Sequence, residues 1–246
     1  MQMQIGKNVF YSFLTAATIS CSNTHLQKAA SPGSDDNFGK GISSVHCIER
    51  NLSPISNEQS KLFRLSDSTI PRIEYVNLGP YSGMYITPDL IQFDTTKVND
   101  GYEEKVCIGV VRHEIAHHKM DVLSRTREKR NWPQIYSVNN RNVPINELDD
   151  TMKLKIVGEG LISEGVATYI EINGKTNTPR FPWPPDGGRT YFDYYNHGFY
   201  FIKNVMDEFG YEAIMHMENR LPNKEEILHP QIWQDTIRAR IIAARN

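Results

Sequence analysis

Three short runs in the first half of the chain concentrate apolar residues between polar or turn-forming ones: "RIEYVNL" (72–78), "GMYIT" (83–87) and "DLIQFD" (89–94). Each is rich in β-branched or aromatic residues and bounded by Gly, Pro or Asp, which predicts strands. Ahead of them, "ISNEQSKLFRLSD" (55–67) predicts a helix. After them come longer segments. "GYEEKVCIGVVRHEIAHHKMDVLSR" (101–125) lacks proline, carries Glu103 and Glu104 in its first turn and ends in basic residues, so it predicts a long helix. Val106, Val110, Ile115 and Met120 do not fall on one narrow stripe, which predicts burial on more than one side. "LISEGVATYIEI" (161–172), preceded by Gly158 and Gly160, predicts a second helix. An amphipathic helix follows over 191–210, closed by Gly210. Two more are expected, over 211–221 and 230–245. Residues 126–150, and the Pro/Gly-rich "RFPWPPDGGRT" (180–190), read as loops. Strands first and helices afterwards predict an α+β fold, a small N-terminal sheet with a mainly helical C-terminal lobe.

The first forty-two residues follow a different rule. Lys7 precedes a short apolar run from Val9 to Ile19, which suits the core of a secretory signal and is too short to span a bilayer. "TISC" (18–21) resembles the lipobox of bacterial lipoproteins, with Thr18 where Leu is common. The polar, Ser- and Gly-rich stretch after Cys21 buries too little to fold. The expected organisation is a signal peptide over 1–20, a flexible tether over 21–42 and one folded domain over 43–246. The chain is expected to be exported and held at a membrane by a lipid on Cys21, or else secreted or periplasmic.

Composition changes this picture little. Hydrophobic residues make up 39% and charged residues 23%, an ordinary globular balance. The formal net charge of -2 gives no global basic field, so no nucleic-acid partner is expected. The locally basic "SRTREKR" (124–130) and "TIRARIIAAR" (236–245) read as solvated helix faces. Cys21, Cys47 and Cys107 form no C-x-x-C pair. Cys107 lies in an apolar run and reads as a small buried hydrophobe, and a Cys47–Cys107 disulfide is open to an exported chain.

The candidate chemistry lies in the long helix. "RHEIAHHK" (112–119) contains H-E-x-x-H, His113 to His117. Residues four apart sit one turn apart on one helix face, so His113 and His117 can aim two imidazole nitrogens at one metal ion. Glu114 is rotated about 100° from His113 and can reach a water there without ligating the metal, the position of a general base. His118 points about 100° away from His117 and is expected to be dispensable for metal. The motif follows the apolar run 106–111, and polar groups at the end of a buried run need partners. A catalytic site needs a third protein ligand. Glu164 in "SEGVATYIE" (163–171), 46 residues beyond His117, is the best candidate. Glu171, two helical turns on, can receive the second N–H of a ligating histidine. Asp121 reads as a further supporting group or a solvated helix residue.

"HEIAHH" followed by "ISEGVATYIE" resembles the gluzincin metallopeptidases, which pair H-E-x-x-H with E-G-x-A-x-Y-x-E on a later helix. The resemblance spans roughly residues 85–210. It implies a zincin-like fold, a Zn2+ cofactor on His113, His117 and Glu164, Glu114 as base, and Glu171 supporting a ligand. It also implies an oxyanion-stabilising tyrosine in Y-x-x-G. "YNHG" supplies Tyr195 and Gly198, with His197 as a rival donor. The G-x-M-E-N segment of the aminopeptidases is missing, which argues against an aminopeptidase and for an endopeptidase acting on a peptide or protein substrate. "DLIQFD" is the expected edge for an extended peptide. Two other classes stay open: a zinc hydrolase of a non-peptide bond, and a surface lipoprotein that binds a partner and holds zinc for structure.

Overall fold

The computed structural model describes residues 44–66, 69–79, 82–86, 88–96, 104–128, 150–174, 192–217 and 220–246. The proposed signal and tether lie outside them. Seven helices are defined among these residues: α1 (Ser44–Leu62), α2 (Glu104–Glu128), α3 (Asp150–Glu171), α4 (Phe192–Phe209), α5 (Glu212–Met217), α6 (Lys224–Leu228) and α7 (Pro230–Arg245). Three strands, β1 (Arg72–Val76), β2 (Gly83–Ile86) and β3 (Leu90–Asp94), form one sheet. The fold is α+β.

The lack of a single apolar stripe on the long helix has a structural counterpart. α2 packs against α1, α3 and β2, and residues 113–124 are buried without interruption. Val110, Val111 and Ile115 face one core, shared with Ile48 and Ile55 of α1 and with Tyr85, Ile91 and Phe93 of the sheet. Ala116, Met120 and Leu123 face a second core, built from α3, α4, α5 and α7 around Trp233. Each fully buried large apolar side chain contributes about 1.5–3 kcal/mol. That contribution on both sides is how α2 tolerates seven buried polar residues: His113, Glu114, His117, His118, Lys119, Asp121 and Ser124. Cys47 of α1 and Cys107 of α2 are both buried and joined as a disulfide, which ties the two helices together.

The sheet order is β1-β3-β2. β1 runs parallel to β3, with Arg72 opposite Leu90 and Val76 opposite Asp94. β2 runs antiparallel to it, with Gly83 opposite Phe93 and Ile86 opposite Leu90. This corrects the expected substrate edge. β3, the "DLIQFD" strand, is hydrogen-bonded on both sides and has no edge to offer. β2 is the outer strand on the α2 side, and no described strand pairs with its other edge.

Two helices begin earlier than the sequence suggests. α1 starts at Ser44 and passes through Pro54, the residue just before the predicted start at Ile55. A proline there forgoes one backbone bond, to exposed Arg50 four residues back. α3 starts at Asp150, not at 161, and runs straight through Gly158 and Gly160. Glycine weakens a helix by about 1 kcal/mol relative to alanine, which is why it reads as a boundary. Here a tight contact explains one of them: a Cβ on Gly158 would lie 3.0 Å from Cδ of Pro222. α4 ends at Gly210 as expected, with φ +57° and its N–H donating to the Met206 carbonyl. The short α6 was not anticipated. It is held by a capping box between Asn223 and Glu226.

Candidate metal centre

α2 and α3 meet where each carries its polar residues. From α2, His113 and His117 project side by side, their Nε2 atoms 3.1 Å apart. From α3, Glu164 reaches them, with Oε2 3.3 Å from His113 Nε2 and Oε1 3.5 Å from His117 Nε2. All three side chains are buried. One ligand atom from each lies within 4.8 Å of the others, so this group could hold a metal ion.

The hydrogen bonds behind the ligands decide what the cluster wants. His113 Nδ1 lies 3.0 Å from Glu171 Oε2. A carboxylate only accepts, so Nδ1–H donates and Nε2 carries a lone pair. His117 Nδ1 lies 2.9 Å from Ser163 Oγ, and the same assignment has Nδ1–H donating to the hydroxyl. Two imidazole lone pairs and a carboxylate then converge on one small volume. Four acceptors without a donor between them repel each other, and a cation removes the repulsion.

Glu164 does not open its helix. It sits in the third quarter of α3, too far from Asp150 for the helix N-terminus to account for a carboxylate there. Its neighbour Gly165 explains how α4 comes close. A Cβ on Gly165 would lie 2.4 Å from the Gly198 carbonyl oxygen, and one on Gly198 would lie 2.5 Å from the Leu161 carbonyl oxygen. The glycines of "EGVA" and "YNHG" are thus the crossing point of two helix backbones. The crossing brings buried His197 into the neighbourhood of Glu164. Tyr195 lies in the first turn of α4, and its side chain is outside the described residues.

Glu114 is buried on α2 and is not one of the three clustered ligands. Its side chain lies against the backbone of β2: a Cβ on Gly83 would meet Glu114 Cγ at 2.9 Å and Oε1 at 3.0 Å. His118 turns the other way, as the helix pitch requires. Its Nε2 lies 3.1 Å from the Thr69 carbonyl, and its ring lies 5.8 Å from that of Tyr85. Asp121 is fully buried, so the expectation of a solvated helix residue does not hold. It accepts from the Tyr85 hydroxyl at 2.6 Å and pairs with Arg125 at 3.0 Å, and Arg125 also pairs with Asp89. Ser163 is the functional candidate that sequence reasoning missed. Its signal was present, because a ligating histidine needs a partner for its second nitrogen and Ser163 immediately precedes Glu164.

Comparison of the chain with protein-family models, with curated proteins and with solved structures finds no match. The site's chemistry therefore rests on its own geometry.

Proposed function

We propose that the chain is a zinc-dependent peptidase of zincin-like architecture that cleaves peptide bonds within a chain. One observation carries this reading. An acceptor-only group of two histidines and a glutamate is accompanied on the same helix by a buried, non-ligating carboxylate, Glu114. A purely structural metal site needs ligands and no base. Two imidazoles and one carboxylate are a donor set that zinc accepts with a position left open for chemistry.

Zinc held there supplies Lewis acidity, making a water more acidic and polarising a carbonyl. The protein's own groups do the rest. Glu171 and Ser163 fix the ring orientation of His113 and His117. Glu114 accepts the proton of the attacking water and returns it to the leaving nitrogen. Tyr195, or His197 beside it on α4, donates to the oxygen that gains charge. β2, the outer strand packed on α2, offers backbone groups to an extended peptide.

The Cys47–Cys107 disulfide supports export, because such bonds persist in oxidising compartments. No described helix is long and apolar enough to cross a membrane. An anchor would then fall to a lipid on Cys21.

Hydrolysis of casein and of a mixed peptide library, with and without a chelator, tests the reading. The expected result is cleavage at internal bonds, abolished by chelation and restored by zinc at about one equivalent per chain. Cleavage that persists after complete metal removal, or its absence in zinc-loaded protein, would overturn it.

A further inference from the structure

Gly83 lies on β2, and its backbone has no positive φ, so its conformation does not call for glycine. Its neighbours do. A Cβ there would lie 2.9 Å from Glu114 Cγ, 3.0 Å from Oε1 and 3.2 Å from Cδ. All three atoms belong to one side chain, that of the proposed general base. Both residues are buried, so Glu114 has little room to move aside. Two positions along the strand, the Tyr85 hydroxyl donates to Asp121 of α2 at 2.6 Å, and the Asp89 N–H donates back to that hydroxyl at 3.2 Å. β2 is thus fixed on α2 at two points, one a hydrogen bond and one a missing side chain.

We propose that Gly83 is a positioning residue for Glu114: the bare backbone of β2 is the wall that sets where the carboxylate stands. The inference rests on the peptidase reading for its kinetic consequence, but the contact itself does not. An added methyl displaces the carboxylate by an appreciable fraction of an ångström. Misplacement of a catalytic group by about 1 Å can reduce turnover on the order of 100-fold. The three atoms nearest an added Cβ all belong to Glu114 and none to His113, His117 or Glu164, so metal content is expected to stay unchanged.

Four proteins test this: wild type, Gly83→Ala, Glu114→Ala and the double variant, each as purified, with metal content and thermal midpoint measured. Gly83→Ala is expected to lower the midpoint when Glu114 is present and to leave it almost unchanged in the Glu114→Ala background. Equal drops in both backgrounds would overturn the proposal whatever the activity does. A Gly83→Ala protein that fails to fold while the double variant folds supports it, and failure of both overturns it. On a peptide substrate, Gly83→Ala is expected to lower kcat by roughly 10–100-fold with KM little changed. Glu114→Asp, one methylene shorter, provides the rescue. Gly83→Ala should cost far less in that background than in wild type. Wild-type kcat in folded Gly83→Ala would sink the positioning role and leave the peptidase reading intact. A wild type inactive on every peptide would sink the peptidase reading, with the stability comparison still deciding the contact.

Discussion

Two buried polar clusters share helix α2 and differ in how their charges are balanced. On the side facing α3, His113, His117 and Glu164 present acceptors to one another. On the opposite side, each group meets one of the other kind. His118 and Lys119 both face the Thr69 carbonyl, at 3.1 and 2.7 Å. Tyr85 donates to Asp121, and Arg125 joins Asp121 to Asp89. Burial does not separate the two, since His113, His118, Lys119 and Asp121 are all fully buried. Donor–acceptor balance does. The Glu164 oxygens on the α3 side lack a hydrogen-bond donor that a cation would replace, and the sheet side carries its own donors in Tyr85, Lys119 and Arg125. The first reads as a site and the second as a structural joint that fixes β2 and the segment at Thr69 on the metal helix.

The comparison is broken most sharply by truncating each side. His113→Ala and Glu164→Ala are expected to lose bound metal and all hydrolysis while the protein stays folded, because each removes a ligand from a group with no substitute among the described residues. Elemental analysis of the purified variants checks this, and full zinc in both would refute the assignment. Asp121→Ala should do the reverse. It strips a buried partner from Tyr85 and Arg125 and is expected to cost about 2–4 kcal/mol of stability. Metal content should stay at the wild-type level. Denaturant unfolding beside metal analysis reads both quantities, and loss of metal in folded Asp121→Ala would merge the two clusters into one.

A more gradual effect sharpens the contrast through pH. Burial, with the nearby Lys119 charge, lowers the His118 pKa to about 4. In the unfolded chain it returns to its ordinary value of about 6.5. Between these values the unfolded chain binds a proton that the folded one refuses, so stability falls as pH drops through this window and the loss levels off below about 4. At full size it is on the order of 3 kcal/mol. Thermal midpoints of wild type and His118→Gln between pH 7 and 4 should converge as the pH falls. Parallel curves would show that His118 does not supply the slope.

Much of this was readable in the chain. Helical spacing alone brought His113 and His117 together, and seven-residue spacing put Glu171 on the face of Glu164. Strand positions followed from short β-rich runs and their bounding turn residues. What escaped detection shares a physical cause: it depended on contacts between distant segments. Gly158 reads as a helix boundary until Pro222 is seen against it. Asp121 reads as solvated until Tyr85, 36 residues earlier, is found donating to it. The pairing of β1 with β3 rather than β2 reverses which strand has an open edge, and no local pattern encodes that order. Cys47 and Cys107 were legible as a pair only in principle, until α1 and α2 were seen packed together.

The central claim is that Glu114 is the base and not a ligand or a structural carboxylate, and Glu114→Gln tests it most directly. The amide keeps the size of the side chain and its contact with Gly83 but cannot accept the proton. One preparation should be assayed for metal content, thermal midpoint and peptide hydrolysis. The account predicts zinc retained, the midpoint within about 1 kcal/mol of stability of the wild type, and turnover lower by roughly two to four orders of magnitude. Zinc lost together with activity, or a glutamine variant as active as the wild type, would contradict it.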